Sequence, residues 1–139
     1  MSRFQEIAEL LVASWVLSHE KSAEPLPPAD VLDRALQNVT EDGAFPDWLR
    51  SSLHFVDSRV GLRCVELESV LNAAQRAEFT SDPNPSYSAT DLKIGPRAAR
   101  ALLRRHKEVT VEMARDWGTR LQLAINHAAS TRQHFPAEL

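Results

Sequence analysis

The residues whose type and spacing most suggest chemistry are the basic ones between positions 93 and 107. This stretch holds six Lys or Arg and no Asp or Glu. Pro96 suits the start of a helix there, because its missing N–H would have no partner in a first turn. At about 100° per residue, the helical cations of this stretch share an arc of about 80°. The sequence therefore predicts a cationic surface for an acidic partner, formed by Lys93, Arg97, Arg100, Arg104 and Lys107.

The charge of the chain is unevenly distributed, which gives the basic stretch two interpretations. Residues 1–92 carry 7 basic and 15 acidic side chains, and residues 93–139 carry 9 and 4, within a net charge of −3. The basic part either packs against the acidic part, so that the charges are neutralised within the chain, or faces a polyanion or an acidic partner. The sequence leaves both interpretations open.

The segment 88–107 also permits a helix-turn-helix arrangement. A short helix after Ser88, a turn at Gly95 and a basic helix would place Pro96 and Arg97 near the base edges of DNA. The first helix would be very short, however, and nucleic-acid-binding domains are usually basic whereas this chain is acidic. A nucleic-acid-binding regulator is therefore the alternative hypothesis.

The other residues able to do chemistry are scattered. No two of the five His have the i, i+4 spacing of a helical metal pair, and no HExxH pattern occurs. The four Gly are isolated from one another, so the sequence has no Gly-rich phosphate loop. We therefore expect neither a metal ion nor a cofactor.

The single cysteine has two interpretations. As a nucleophile, Cys64 would need His54 and Asp57 to converge on it. Its place on an apolar stripe with Leu67 and Leu71 instead favours a buried structural thiol. Since one cysteine cannot form an internal disulfide, a reducing cytoplasm is the predicted compartment.

Apolar residues recur at helical spacing along most of the chain and predict its elements. We expect an all-α fold, a compact bundle or orthogonal array of five to six amphipathic helices, in a single domain over residues 1–139. The predicted helices are 3–19, 28–41, 46–56, 60–79, 96–107 and 109–129. The predicted loops lie near 20–27, 41–45 and 80–90, and residues 131–139 form a frayed tail.

Three features bear on how these helices pack. Trp15, Trp48 and Trp117 have the spacing of core residues, and one that proved exposed would mark an interface. Gly118 costs about 1 kcal/mol relative to Ala inside a helix, so it either permits the close approach of a helix from the same chain or another, or is a tolerated defect. The apolar run 10–17 is too short to span a bilayer, and no membrane partner is expected.

These observations predict a non-enzymatic cytoplasmic interaction, adaptor or regulatory domain. Its partner would be a protein, with the basic helix facing an acidic surface, and a second copy of the chain is a further candidate partner. The nucleic-acid-binding regulator is the alternative, and an enzyme ranks third because the sequence lacks a reaction signature.

Overall fold

The computed structural model describes the backbone of residues 3–22, 24–59, 61–81 and 90–134, with side chains up to residue 127. Within these ranges the protein is predominantly helical, as predicted, with one short β-hairpin that was not predicted. In chain order the elements are α1 (Arg3–Ser18), α2 (Ala29–Glu41), α3 (Asp47–Ser52), β1 (Phe55–Ser58), β2 (Gly61–Cys64), α4 (Leu67–Arg76), α5 (Pro96–Leu103) and α6 (Val111–His134).

Helix α1 lies at the centre of the fold. Every residue from Ile7 to Leu17 is buried, because α4, α5 and α6 all pack against it. A helix buried on all sides needs apolar residues around its whole circumference, and the run 10–17 supplies them. This part of α1 is therefore not amphipathic, and it buries two polar residues, Glu9 and Ser14.

Helices α1 and α6 cross at Gly118. A Cβ atom on Gly118 would lie 2.1 Å from the backbone oxygen of Ser14 and 2.4 Å from Oγ of Ser18. Only hydrogen fits between the two helices at that point. The prediction that Gly118 permits a close helix approach is confirmed, and the approaching helix is α1 of the same chain.

The β-hairpin replaces parts of two predicted helices. Strands β1 and β2 pair antiparallel, with Phe55 opposite Cys64 and Ser58 opposite Gly61. Gly61 has φ +112°, a conformation that a helix does not contain and that other residues rarely adopt. The hairpin is also held from outside, since the Cys64 N–H donates to Asp33 Oδ1 of α2 at 2.9 Å. The predicted helices 46–56 and 60–79 are therefore wrong between positions 53 and 66.

The segment before α5 is extended rather than helical. Leu26 and Thr90 exchange two backbone hydrogen bonds of 2.8 and 2.9 Å, and the Lys93 N–H donates to the carbonyl of Phe79 at 2.8 Å. The first helix of the predicted helix-turn-helix is therefore absent from residues 90–95. Residues 82–89, which include Ser88 and most of the predicted loop 80–90, lie outside the described part of the chain.

The two last helices differ from prediction at their ends. Helix α5 ends at Leu103 rather than at Lys107, and the chain turns before α6 begins. Helix α6 continues to His134, so residues 131–134 of the predicted tail are helical, and 135–139 lie outside the described residues. None of the helices that the structure describes is both long and apolar enough to cross a membrane.

Replacement of Gly118 by Ala tests the crossing of α1 and α6. Ala normally stabilises a helix interior by about 1 kcal/mol relative to Gly. At Gly118 we expect the opposite sign, a loss of about 1–3 kcal/mol in the free energy of unfolding, because the new Cβ meets backbone of α1. Urea denaturation measures it, with Thr119→Ala on the exposed side of α6 as the control. A Gly118→Ala variant as stable as the wild type would contradict this crossing.

Candidate functional site

Only the three arginines of the predicted cationic surface lie on one helix face; its two lysines do not. Arg97 and Arg100 lie on α5 and Arg104 immediately follows it, with helical backbone angles. Lys93 lies in the extended segment and Lys107 in the turn beyond α5, so the helical arc does not include them. All five side chains are exposed. We call Arg97, Arg100 and Arg104 the cationic face.

The first interpretation of the basic stretch, pairing within the chain, holds for Arg100 and Arg105. Glu20, just beyond α1, accepts hydrogen bonds from Arg100 and Arg115, each at 2.6 Å. Arg100 therefore shares one carboxylate with Arg115 within the chain. In the described ranges, no carboxylate oxygen lies within 4.0 Å of Arg97 or Arg104, and the same is true of the two lysines.

A buried carboxylate joins α1 to the turn between α5 and α6. The Glu9 side chain is 0% exposed and accepts two hydrogen bonds through its two oxygens. Arg105 Nη1 donates to Oε2 at 2.8 Å, and His106 Nε2 lies 3.0 Å from Oε1. Burial of a charged group is costly unless it is paired and hydrogen-bonded, and this pairing fixes the position of the turn.

Beside this pair lies an open cleft of about 480 Å³, which we call the Trp48 cleft. The Trp48 ring stacks on His106 with a centroid distance of 6.2 Å and an interplanar angle of 12°. The guanidinium carbon of Arg3 lies 4.7 Å from the centroid of the Trp48 ring. The residues that line the cleft are Arg3, Glu6, Glu9, Trp48, Arg105, His106 and Glu108.

The three tryptophans divide between core and surface. Trp15 and Trp117 are buried, as their spacing predicted, whereas Trp48 is only partly buried and contacts the core from its edge. None of the three tryptophans is exposed, so the condition for an interface residue is not met, although the partly buried Trp48 lines the cleft. Its neighbours in the cleft, Glu9 and His106, were not predicted as site residues. The one signal in the sequence is a Glu placed directly before the apolar run of α1.

The nucleophile hypothesis for Cys64 does not fit the geometry. The Sγ atom lies 4.0 Å from Glu66 Oε1, and Glu66 Oε2 lies 2.6 Å from His54 Nδ1. The acid thus stands between the thiol and the imidazole, whereas activation needs the imidazole next to the thiol. Burial raises the pKa of Cys64 to about 11, so the thiol is protonated at neutral pH and a poor nucleophile.

The comparisons with known proteins give no relative. No family model, curated protein or solved structure matches the chain. Among the described residues, no three His, Cys, Asp or Glu side chains are grouped so as to hold a metal ion.

Truncation of Glu9 tests the buried pair. We expect Glu9→Ala to lower the free energy of unfolding by about 3 kcal/mol, because the buried imidazole of His106 loses its acceptor. Glu20→Ala, the matched control at a carboxylate whose side chain is 27% exposed, should cost at most about 1 kcal/mol. Thermal or urea denaturation compares the two. Equal effects of the two variants would contradict a structural role for burial of Glu9.

The carboxyl of Asp33 gives a pH-dependent prediction. Burial raises its pKa above 3.8, although the Cys64 N–H and the charge of Arg63 lower it. Above pH 3.8 the native state thus binds more protons than the unfolded state, and stability falls as the pH rises to the native pKa. Asp33→Asn keeps the acceptor without the charge, so we expect equal or higher stability at neutral pH and a difference that shrinks below pH 3.8.

The matching variant Asp33→Ala should be less stable than the wild type at neutral pH. It leaves the buried Cys64 N–H without an acceptor, which costs about 1–3 kcal/mol at neutral pH. Urea midpoints at neutral and acid pH measure both variants. A strong loss of stability in Asp33→Asn at neutral pH would show that the charge itself stabilises the fold.

Proposed function

We propose that this protein is a non-enzymatic binding domain that takes an acidic segment of a partner protein on its cationic face. The observation that carries the proposal is the state of Arg97 and Arg104. Both are exposed, and no carboxylate in the described ranges lies within 4.0 Å of either. Arg100, between them, is already paired with Glu20. The two outer arginines are therefore available to another molecule.

The charge around the cationic face favours a short acidic peptide over a nucleic acid. The chain has a net charge of −3, and the exposed acids Glu108 and Glu112 follow the face in the sequence. A duplex would bring a long row of phosphates towards these acids. In a short peptide, separate carboxylates can each bind one of the two guanidinium groups in bidentate geometry without approaching these acids. The extended segment 90–95 also replaces the first helix of the helix-turn-helix on which the nucleic-acid hypothesis rested.

The proposed function also covers the scaffold, the cellular compartment and a second candidate partner of this domain. Its scaffold is a compact bundle or orthogonal array of helices around α1. Its compartment is the cytoplasm, where the single buried Cys64 stays a thiol. A second copy of the chain is a further candidate partner, since residues 1–92 carry an excess of acids that could meet the cationic face.

Charge reversal of the two unpaired arginines tests the proposal. Fluorescence anisotropy measures binding of a labelled acidic peptide of about ten residues at low ionic strength, where surface ion pairs are least screened. We expect Arg97→Glu with Arg104→Glu to weaken binding roughly tenfold, since each exposed pair contributes up to about 1 kcal/mol and reversal adds repulsion. Arg100 is left unchanged because its pair with Glu20 supports the fold.

The control variant combines Arg59→Glu with Arg76→Glu, two exposed positions away from α5. It changes the net charge equally and should leave peptide binding within about twofold of the wild type. An equal loss in the control, or no binding by the wild type, would overturn the proposal. Tighter binding to a labelled duplex, with a salt slope of about −0.9 per phosphate contact, would instead establish the nucleic-acid alternative.

A further inference from the structure

The Trp48 cleft offers electron-rich groups to a ligand. At its base, Glu9 accepts hydrogen bonds from Arg105 and His106. Because a carboxylate oxygen only accepts hydrogen bonds, Nε2 of His106 carries the donated proton, and in the neutral form of the ring Nδ1 has a lone pair. The only buried side-chain nitrogen or oxygen without a hydrogen bond in the described ranges is Ser14 Oγ. Nδ1 of His106, which has no hydrogen-bond partner there, is therefore not fully buried, and the His106 side chain lines the cleft.

The rim of the cleft adds a negative charge. Glu108 is exposed and lines the opening, and in the described ranges no Lys or Arg nitrogen lies within 4.0 Å of its carboxylate. The ring face of Trp48 is also electron-rich, and indole is the best of the aromatic side chains at holding a cation. A carboxylate, an aromatic face and an imidazole lone pair all attract a positively charged hydrogen-bond donor.

The chain already places such a donor in the cleft. The guanidinium of Arg3 lies over the Trp48 ring at 4.7 Å and donates to Glu6 Oε2 at 3.1 Å. The Arg3 side chain is 56% exposed, so little holds it there beyond these two contacts. Arg3 therefore shows that a guanidinium group fits this site. Displacing the Arg3 side chain should cost little free energy.

We infer that the Trp48 cleft binds a guanidinium group, that of an arginine side chain on a partner protein, in the place that Arg3 occupies in the free chain. The ligand guanidinium stacks on Trp48 and pairs with Glu6 and Glu108. The site is separate from the cationic face and selects the opposite charge, so it does not depend on the proposed function. Arg3 acts as an internal competitor for the site.

A titration with small guanidinium compounds isolates this site. The probe is Nα-acetyl-arginine amide, and its neutral isostere Nα-acetyl-citrulline amide is the control. The readout is the NMR signal of the Trp48 indole N–H, assigned with Trp48→Phe. The arginine probe should shift this signal in a saturable way, and the citrulline probe should leave it in place. Free L-arginine forms a second arm, and tighter binding of it than of the capped probe would assign the site to a small molecule rather than to a partner's side chain.

Three surface variants test the contacts without disturbing the core. Arg3→Ala removes the competitor and should tighten binding of the arginine probe about two- to fivefold. Glu108→Gln should weaken binding by a similar factor, whereas Glu112→Gln, an exposed α6 control outside the cleft, should not. Equal shifts by the citrulline probe, unchanged affinity in Arg3→Ala, or equal effects of the two glutamine variants would each overturn the inference.

Discussion

The burial of Glu9 is the constraint on which the functional surface of this protein depends. A carboxylate with 0% exposure requires charged or polar partners, and Glu9 takes both of its partners, Arg105 and His106, from one turn of the chain. That turn joins α5 to α6, carries Glu108 and follows directly on Arg104. The pair therefore fixes, relative to the central helix α1, both the end of the cationic face and one wall of the Trp48 cleft.

Acidic side chains at or near α1 pair with some, but not all, of the basic side chains in the C-terminal part of the chain. Glu20, just beyond α1, binds two arginines from the basic part of the chain, and Glu9 of α1 binds Arg105 and the His106 imidazole. This uses the cations closest to α1 and leaves Arg97 and Arg104 facing solvent. Intramolecular neutralisation and an open cationic surface are thus two consequences of one arrangement, and the proposed binding function concerns only the cations that the fold has not used.

The sequence predicted the elements that periodicity governs. Helix α1 was expected at 3–19 and occurs at Arg3–Ser18, because a long apolar run has no other way to bury itself. The periodicity of the sequence did not predict the hairpin, whose position depends on a hydrogen bond between Cys64 and Asp33, 31 residues apart. The extended segment after residue 89 is likewise held by pairing with Leu26 and Phe79. The cleft was missed because a Glu on a helix usually faces solvent, and only the packing of three helices around α1 buries Glu9.

The most direct test of this account is hydrogen exchange of the backbone amides in the α5–α6 turn, in the wild type and in Glu9→Gln. The amide of His106 donates to the carbonyl of Leu103 at the end of α5, and the amide of Val109 donates to the carbonyl of His106, each at 2.9 Å. If the Glu9 pair positions the turn, these two amides should lose protection in Glu9→Gln far more than the Val65 amide, which donates to His54 beside the distant hairpin. Unchanged protection in the turn, or the same loss at all three amides, would contradict the account.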